Sequence, residues 1–175
     1  MSVPVCVDLE SAVVSYRPAA GEERSSSAGK VSIEALLLAA PWRTFRWYFG
    51  QHHYSGTYWS STQGDHVIYE SRLELANLLL ADFDSQVRQI VAQPFIVCAE
   101  VQGQARKHIV DYLWGTADGP VVVDVVRAER ISHPRINVAV QGPPRQCSMR
   151  LWSGVKPWLT PQRTAWVRLP TSILR

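Results

Sequence analysis

The chain has 175 residues, of which 46% are hydrophobic and 19% are charged, a composition typical of one globular domain with a hydrophobic core. Its formal charge of +3 permits an anionic partner, but so small an excess of basic residues does not by itself identify nucleic acid. Three widely spaced cysteines argue against a disulfide framework or a zinc knuckle, and no apolar stretch approaches the length of a membrane span, so we expect a cytoplasmic protein without a membrane partner.

The first 41 residues are predicted to be an amino-terminal decoration of the fold. Residues 3–17 alternate enough to indicate a short strand, and the polar segment that follows is rich in turn-forming residues. Residues 31–40 can form a short helix that ends before Pro41, because proline disfavours helical backbone in the residue that precedes it. The core of the domain is therefore expected to span residues 42–131.

Residues 42–61 interleave arginines and histidines with aromatic side chains. Arginines can bind phosphates and rings can stack on bases, so the segment is a candidate DNA-binding surface with Arg43 and Arg46 as phosphate contacts. The alternative is that the rings pack as a lid over the core, and the two roles are compatible. His52 and His53 are sequence neighbours, which is a poor spacing for two metal ligands. The aromatic residues are Trp42, Phe45, Trp47, Tyr48, Phe49, Tyr54, Tyr58 and Trp59.

A helix over residues 70–82 is the clearest local prediction. Glu70 and Glu74 are four residues apart, so they lie on one face of this helix, beside an apolar stripe. Packing of the stripe on a sheet would bring one of the two glutamates next to the strands that follow. Ser71 stands at the start of the helix, and the stripe consists of Leu73, Ala76, Leu79 and Leu80.

The segment after the helix is predicted to form consecutive strands. Residues 87–101 indicate an extended segment that leads into a strand, and residues 106–114 and 120–128 indicate a hairpin around the turn TADG. A loop of two or four residues places Asp111 opposite Asp124, or one diagonal step away, on the same face of the hairpin. A three-residue loop would break this alignment.

Two carboxylates at this separation repel each other unless a positive charge lies between them. Asp124 stands among five valines, where an unpaired charge is costly. A divalent cation bound through oxygen ligands is therefore predicted beside Asp111 and Asp124. The alternative assignments are structural: a solvated helix face for Glu70 and Glu74, a turn position for Asp111 and a sheet edge for Asp124.

The order of these motifs resembles the amino-terminal catalytic domain of TnsA-type endonucleases, the cleavage subunits of heteromeric transposases. The resemblance spans residues 45–131 and is carried by YESRLELANLLLADFDSQVRQIVAQP, then KHIVDYL, then VVVDVVRAER. It implies an α/β (α+β) protein of the restriction-endonuclease-like type. Such a protein has a mixed sheet with flanking helices, and its carboxy-terminal elements are expected to be incomplete in this chain.

Positions that match the family's motifs take its roles by resemblance. Glu74 matches the helical carboxylate, with Glu70 as the alternative. Asp111 matches the central metal-binding aspartate, and Asp124 matches the residue that begins the last catalytic strand. The pair at 93–94 matches the QP that precedes the sheet. The resemblance implies Mg²⁺, or Mn²⁺ in its place, held at a phosphodiester by Asp111, Asp124 and Glu74.

The activity implied by the resemblance is nicking of DNA at transposon ends, on the strand that the partner subunit does not cut. The implied partners are DNA, a DDE-type transposase subunit and the ATPase regulator of the same element. Basic side chains near the site would bind the DNA backbone. The candidates for these contacts are Arg43, Arg46, Lys107 and Arg127.

The chain departs from the family's pattern at Val126, where the family places Lys or another base. Arg127 is adjacent, but neighbouring residues of a regular strand point to opposite faces, and Lys107 lies roughly 13 Å from Asp111 along an extended strand. Loss of one positive charge beside the attacking water would slow cleavage by a factor on the order of 10² to 10³. The alternative function is therefore a catalytically weak or inactive module that binds DNA or the partner transposase.

Residues 132–175 are rich in proline, arginine and tryptophan and have no sustained periodicity. This irregular basic segment is interpreted as an out-of-frame ending or, alternatively, as a tail that contacts phosphates or a partner.

Overall fold

The computed structural model describes residues 12–44, 54–101, 104–127 and 164–165. At residues 101, 126–127 and 164–165 the description is limited to the backbone. The predictions for Arg46, His52 and His53, and those for most of the tail, lie outside the described residues.

Short strands joined by tight turns dominate the described residues, with two α-helices among them. Helix α1 spans Ile33–Leu37, and helix α2 spans Arg72–Phe83, within two residues of the predicted bounds. Among the described residues, no helix is long and apolar enough to span a bilayer. The strands are β1 (Val13–Pro18), β2 (Arg24–Ser27), β3 (Ala39–Ala40), β4 (Gly56–Ser60), β5 (Asp65–Tyr69), β6 (Val87–Ala92), β7 (Phe95–Val101), β8 (Gln104–Ile109), β9 (Tyr112–Thr116), β10 (Gly119–Val123), β11 (Val126–Arg127) and β12 (Thr164–Ala165).

The strands form two main sheets and two smaller pairings. The first sheet has the order β2-β1-β7-β8, with β3 paired to β1, and the second has the order β10-β9-β6. Strands β4 and β5 form a separate ribbon, and β11 pairs with β12. All these pairs are antiparallel, so the prediction of a mixed sheet is wrong for the part of the chain that the structure describes. The physical reason is that short turns join many of the neighbouring strands, whereas a parallel pair needs a long crossover. The protein belongs to the α+β class.

One long hairpin runs through both main sheets and bends between them. Within the bend, Gln93 N donates to Asp111 O at 2.8 Å, and Val110 N donates to Phe95 O at 3.3 Å. The prediction of one continuous strand over 106–114 is therefore wrong, because the chain passes from the first sheet to the second at Val110 and Asp111. The register pairs on either side of the bend are Ile96↔Ile109 and Ala92↔Tyr112.

Helix α2 packs with a different face from the one that its sequence predicted. Leu78 and Ala81 are fully buried, whereas Leu79 of the predicted stripe is 39% exposed. Glu74 lies one turn before Leu78 and therefore belongs to the buried face. The prediction failed because RLELANLLLADF is apolar at so many positions that its periodicity does not select one face.

Two hydrophobic clusters form the core, and the first of them includes much of the amino-terminal region. Five of its side chains come from the part of the chain predicted to be a decoration, and each of the five is at most 4% exposed. They pack against residues from β7 and the second sheet, so residues 12–36 are an integral part of the core. These five residues are Ala12, Val14, Ala28, Val31 and Leu36.

Candidate functional site

The two predicted hairpin aspartates face each other beyond the ends of β9 and β10. The turn between these strands has two residues, and the last register pair, Val123↔Tyr112, places Asp111 directly opposite Asp124 at the next step. Asp111 N donates to Asp124 Oδ1 at 3.3 Å. Val125 N donates to Asp111 Oδ2 at 2.7 Å. The predicted alignment of the two aspartates is confirmed.

The electrostatic environment of Asp111 disfavours its charged form. Burial raises the pKa of the Asp111 carboxyl to about 7, and the negative charges of Asp124 and Glu74 act in the same direction. The hydrogen bond from Val125 N opposes this increase but does not cancel it. The hairpin therefore holds negative charge in a place where a bound cation would be favourable.

A histidine that was not predicted as a site residue contacts Asp124. His108 Nε2 lies 2.9 Å from Asp124 Oδ2, and because an ionised carboxylate can only accept, this ring nitrogen carries the hydrogen. The Asp124 side chain is 13% exposed, whereas that of His108 is 50% exposed. The hydrogen bond to Asp124 raises the pKa of His108, although burial of the ring opposes the change.

Strand alternation explains why His108 was not predicted. On a regular strand, residues 108 and 111 point to opposite faces, so strand alternation gives no reason to place His108 beside the aspartates. The bend at Val110 and Asp111 breaks the alternation, so the ring of His108 can reach Asp124. The available signal was Pro94 on the facing strand, because proline cannot donate to a strand pairing and so marks an irregularity in it.

Glu74 approaches the aspartates from helix α2, where it also caps the helix. Ser71 Oγ accepts from Glu74 N at 3.2 Å and donates to Glu74 Oε1 at 2.8 Å, and Glu70 N donates to Glu74 Oε2 at 2.7 Å. This arrangement is a variant of the capping box. Tyr112 Oη lies 3.4 Å from Glu74 Oε2 and so links Glu74 to the residue after Asp111. Burial raises the pKa of Glu74 despite its hydrogen bonds.

Glu70 precedes the N-cap residue Ser71, so the prediction that Glu70 and Glu74 share one face of the helix is wrong. Its carboxylate instead faces Arg43 and Gln93. Arg43 Nη1 lies 2.8 Å from Glu70 Oε1 and 3.0 Å from Glu70 Oε2, so the predicted phosphate contact is ion-paired within the protein. Gln93 Nε2 also donates to Glu70 Oε1, and Gln93 Oε1 accepts from Arg43 N at 3.0 Å. Since Gln93 N donates to Asp111 O, this network supports the main chain beneath the aspartate pair.

The basic and aliphatic residues predicted around the aspartates lie on two strands. Lys107 is exposed on β8, opposite Cys98. Val126 and Arg127 form β11 and pair with Ala165 and Thr164, and their side chains lie outside the described part of the structure. Lys107 is therefore the predicted DNA contact that the structure places in solvent beside the histidine.

The described rings of the aromatic segment divide between packing and solvent. Tyr58 packs against the second core cluster, and its hydroxyl donates to Asp82 at 2.8 Å. Tyr54 and Trp59 are 62% and 56% exposed, and the guanidinium of Arg72 lies 3.6 Å from the ring centre of Tyr54. Packed and exposed rings therefore coexist among the described residues of this segment, and the arginine over Tyr54 comes from helix α2.

The donor chemistry at the aspartate pair suits Mg²⁺. Carboxylate oxygens are hard ligands, and Mg²⁺ is commonly held by one or two carboxylates while it keeps waters and binds substrate phosphates. In the part of the chain that the structure describes, no three His, Cys, Asp or Glu side chains are grouped closely enough to hold a metal ion. A cation here would take Asp111 and Asp124 as ligands together with oxygens of water and DNA, and Glu74 stays a predicted ligand whose carboxylate contacts the Tyr112 hydroxyl.

Comparison of the chain with protein-family models, curated proteins and solved structures finds no match. Function is therefore inferred from the geometry of the aspartate pair and from the motifs that resemble TnsA-type endonucleases.

Proposed function

We propose that this chain is a Mg²⁺-dependent DNA endonuclease subunit of the TnsA type that nicks DNA at transposon ends in the cytoplasm. The observation that carries the proposal is the face-to-face placement of Asp111 and Asp124 at the end of a hairpin. Buried like charges favour a cation between them, and a phosphodiester brings further oxygens to that cation. The proposed partners are DNA, a DDE-type transposase subunit and an ATPase regulator.

Asp111 and Asp124 would hold the metal, and Glu74 would add negative charge from helix α2. When bound, the metal lowers the pKa of a water molecule and offsets the charge that develops on the phosphate. The protein contributes orientation, because hydrogen bonds from Val125 N and Gln93 N hold the side chain and the main chain of Asp111.

Exposed cationic side chains on β8 and at the start of α2 are available to bind the DNA backbone. Lys107 is exposed on β8, and Arg72 lies at the start of α2 with its guanidinium over the exposed ring of Tyr54. Arg43 is half-exposed and ion-paired with Glu70, so phosphate would have to compete with that carboxylate. Such contacts position DNA without reading its sequence.

The second candidate function is a catalytically weak or inactive module that binds DNA or the transposase. The observation that favours it is Val126, since the family's base at this position would offset negative charge at the attacking water. This candidate predicts salt-sensitive DNA binding without metal-dependent cleavage.

A metal-titrated nicking assay on transposon-end DNA with the purified partner transposase tests the first candidate. Asp111→Asn removes one charge and keeps the side-chain shape, so we expect a loss of nicking on the order of 10² to 10³ with an unchanged fold. The matched control is Asp65→Asn, because Asp65 is an aspartate on the β4–β5 ribbon whose side chain is 77% exposed. Equal nicking by Asp111→Asn and the wild type would contradict the nuclease. DNA binding without any metal-dependent nicking would favour the inactive module.

A further inference from the structure

The carboxylate of Asp124 has two hydrogen-bond donors among the described residues. Asp111 N donates to Oδ1 at 3.3 Å, and His108 Nε2 is 2.9 Å from Oδ2. The first donor is main chain and belongs to the facing strand, so it does not depend on side-chain identity. His108 is therefore the side chain on which the orientation of this carboxylate depends.

Two other residues that could be expected to supply this contact do not do so. Arg43 is the basic side chain nearest to Glu70, and its guanidinium is ion-paired there at 2.8 Å. Val126 stands where the family has its base and carries no polar atom in its side chain. Among the side chains that the structure describes, the donor for Asp124 therefore comes from β8, by way of the bend in the hairpin.

We propose that His108 is a positioning residue of this site, whose ring N–H holds the Asp124 carboxylate in the orientation that faces Asp111. This inference rests on the proposed nuclease function. A carboxylate held by one main-chain bond can still rotate about its terminal torsion, and a second bond to the other oxygen fixes its plane. Partners that orient ligating carboxylates typically change metal affinity or activity by about 10- to 100-fold.

Three variants distinguish hydrogen-bond donation by the His108 ring from any other effect of a side chain at this position. His108→Ala removes the donor, and His108→Gln places an amide N–H at a similar distance along the side chain. His66→Ala is the matched control, because His66 is also exposed, at 58% of its side chain, and its ring contacts Trp59 on the β4–β5 ribbon. Thermal unfolding of each variant checks that the fold is retained.

The first measurement is a calorimetric titration of the full chain with Mn²⁺ alone. We expect His108→Ala to weaken Mn²⁺ binding by about 10-fold, because the free carboxylate must be ordered when the ion binds. His108→Gln should recover most of that loss, and His66→Ala should bind Mn²⁺ as the wild type does.

The second measurement is the nicking rate with the partner transposase as a function of DNA concentration. We expect His108→Ala to lower the maximal rate by about 10- to 100-fold while the half-saturating DNA concentration stays unchanged. A side chain that only contacted a DNA phosphate would instead raise the half-saturating concentration, and that result would overturn the inference.

Two further results would overturn it. Either His108→Ala binds Mn²⁺ and nicks DNA like the wild type, or His108→Gln is as impaired as His108→Ala, in which case donation by the ring is not its role. Failure of the proposed function looks different, because the wild type itself would then neither bind Mn²⁺ nor nick DNA, and Asp111→Asn would be indistinguishable from it. That result contradicts both proposals, whereas an active wild type with an unaffected His108→Ala contradicts this inference alone.

Discussion

Gln93 has an unusual backbone conformation, and its hydrogen bonds link two parts of the candidate site. Its φ of 47° lies in the left-handed region, which costs a non-glycine residue about 1 to 2 kcal/mol. Its side chain is bonded to Glu70 and to Arg43 N, and its main-chain N–H to Asp111 O. Gln93 itself is 5% exposed, so these part-buried bonds are shielded from water on its side and can offset the conformational cost.

Comparison of two substitutions at Gln93 separates the backbone cost from the side-chain bonds. Both Gln93→Ala and Gln93→Gly remove the side-chain hydrogen bonds, and we expect each to destabilise the fold. Gln93→Gly should be the more stable of the two by about 1 kcal/mol, because glycine adopts positive φ without steric cost. Urea unfolding of both variants measures the difference. Equal stability of the two would show that φ at this position relaxes in solution.

At the scale of elements, Asp82 joins helix α2 to the β4–β5 ribbon. Its carboxylate accepts from Ser60 Oγ at 2.6 Å, Thr62 N at 2.7 Å, Tyr58 Oη at 2.8 Å and Ser61 N at 3.0 Å. Burial of the carboxylate acts to raise its pKa, but these hydrogen bonds outweigh that effect and hold the pKa of Asp82 well below its ordinary value. Asp82 therefore anchors α2 near its end, while the cap formed by Glu74 anchors its start.

The lowered pKa of Asp82 predicts a pH-dependent effect of Asp82→Asn. At pH 7 the variant should be less stable by about 2 kcal/mol, because charge-assisted hydrogen bonds are lost. The folded pKa lies below the unfolded value of about 3.9, so the contribution of the charge is complete above that value and is lost as the pH falls through the folded pKa. The difference in unfolding free energy between wild type and variant should therefore narrow below about pH 4.

Urea unfolding at several pH values between 7 and 2.5 measures this difference for Asp82→Asn. Asp65→Asn serves as the control, because the Asp65 side chain is 77% exposed and should show little effect at any pH. If the difference in unfolding free energy between wild type and Asp82→Asn stayed constant over this pH range, the ionised Asp82 carboxylate would not be the source of the stabilisation.

At the scale of the whole molecule, the bent hairpin makes the candidate site depend on both main sheets. Asp111 lies at the point where the chain leaves the first sheet, and Asp124 follows the edge strand of the second. Residues 12–36 fill the first core cluster, together with Val110 and Leu113 on either side of that point. The amino-terminal region therefore supports the bend that brings His108 and Asp111 to the same place.

A matched pair of leucines in the amino-terminal region tests this dependence. Leu36 is fully buried in the first core cluster, whereas Leu38 is 70% exposed. We expect Leu36→Ala to cost about 2 to 5 kcal/mol of unfolding free energy and Leu38→Ala less than about 0.5 kcal/mol. Chemical unfolding measures both values. Equal, small effects would mean that the region is a decoration, as its sequence predicted.

The sequence by itself determined the features that depend on residues close together in the chain. Ser71 predicts the start of α2 to within two residues, and a hairpin loop of two or four residues with strand alternation predicts that Asp111 lies opposite Asp124 or one diagonal step away. Local hydrogen bonding and the period of a strand are sufficient for both, because neither requires knowledge of what packs on the element.

Only the tertiary structure decided which face of α2 is buried, where the hairpin bends and which side chain reaches Asp124. A helix that is apolar at most positions can bury any of several faces, so the choice falls to distant contacts such as those of Asp82 with the ribbon. The bend lies where the hairpin passes from the first sheet to the second, and it breaks the strand alternation that would point His108 and Asp111 to opposite faces. Gln93 reaches Glu70 and Arg43, 23 and 50 residues away in the chain, and contacts at such separations leave no local pattern in the sequence.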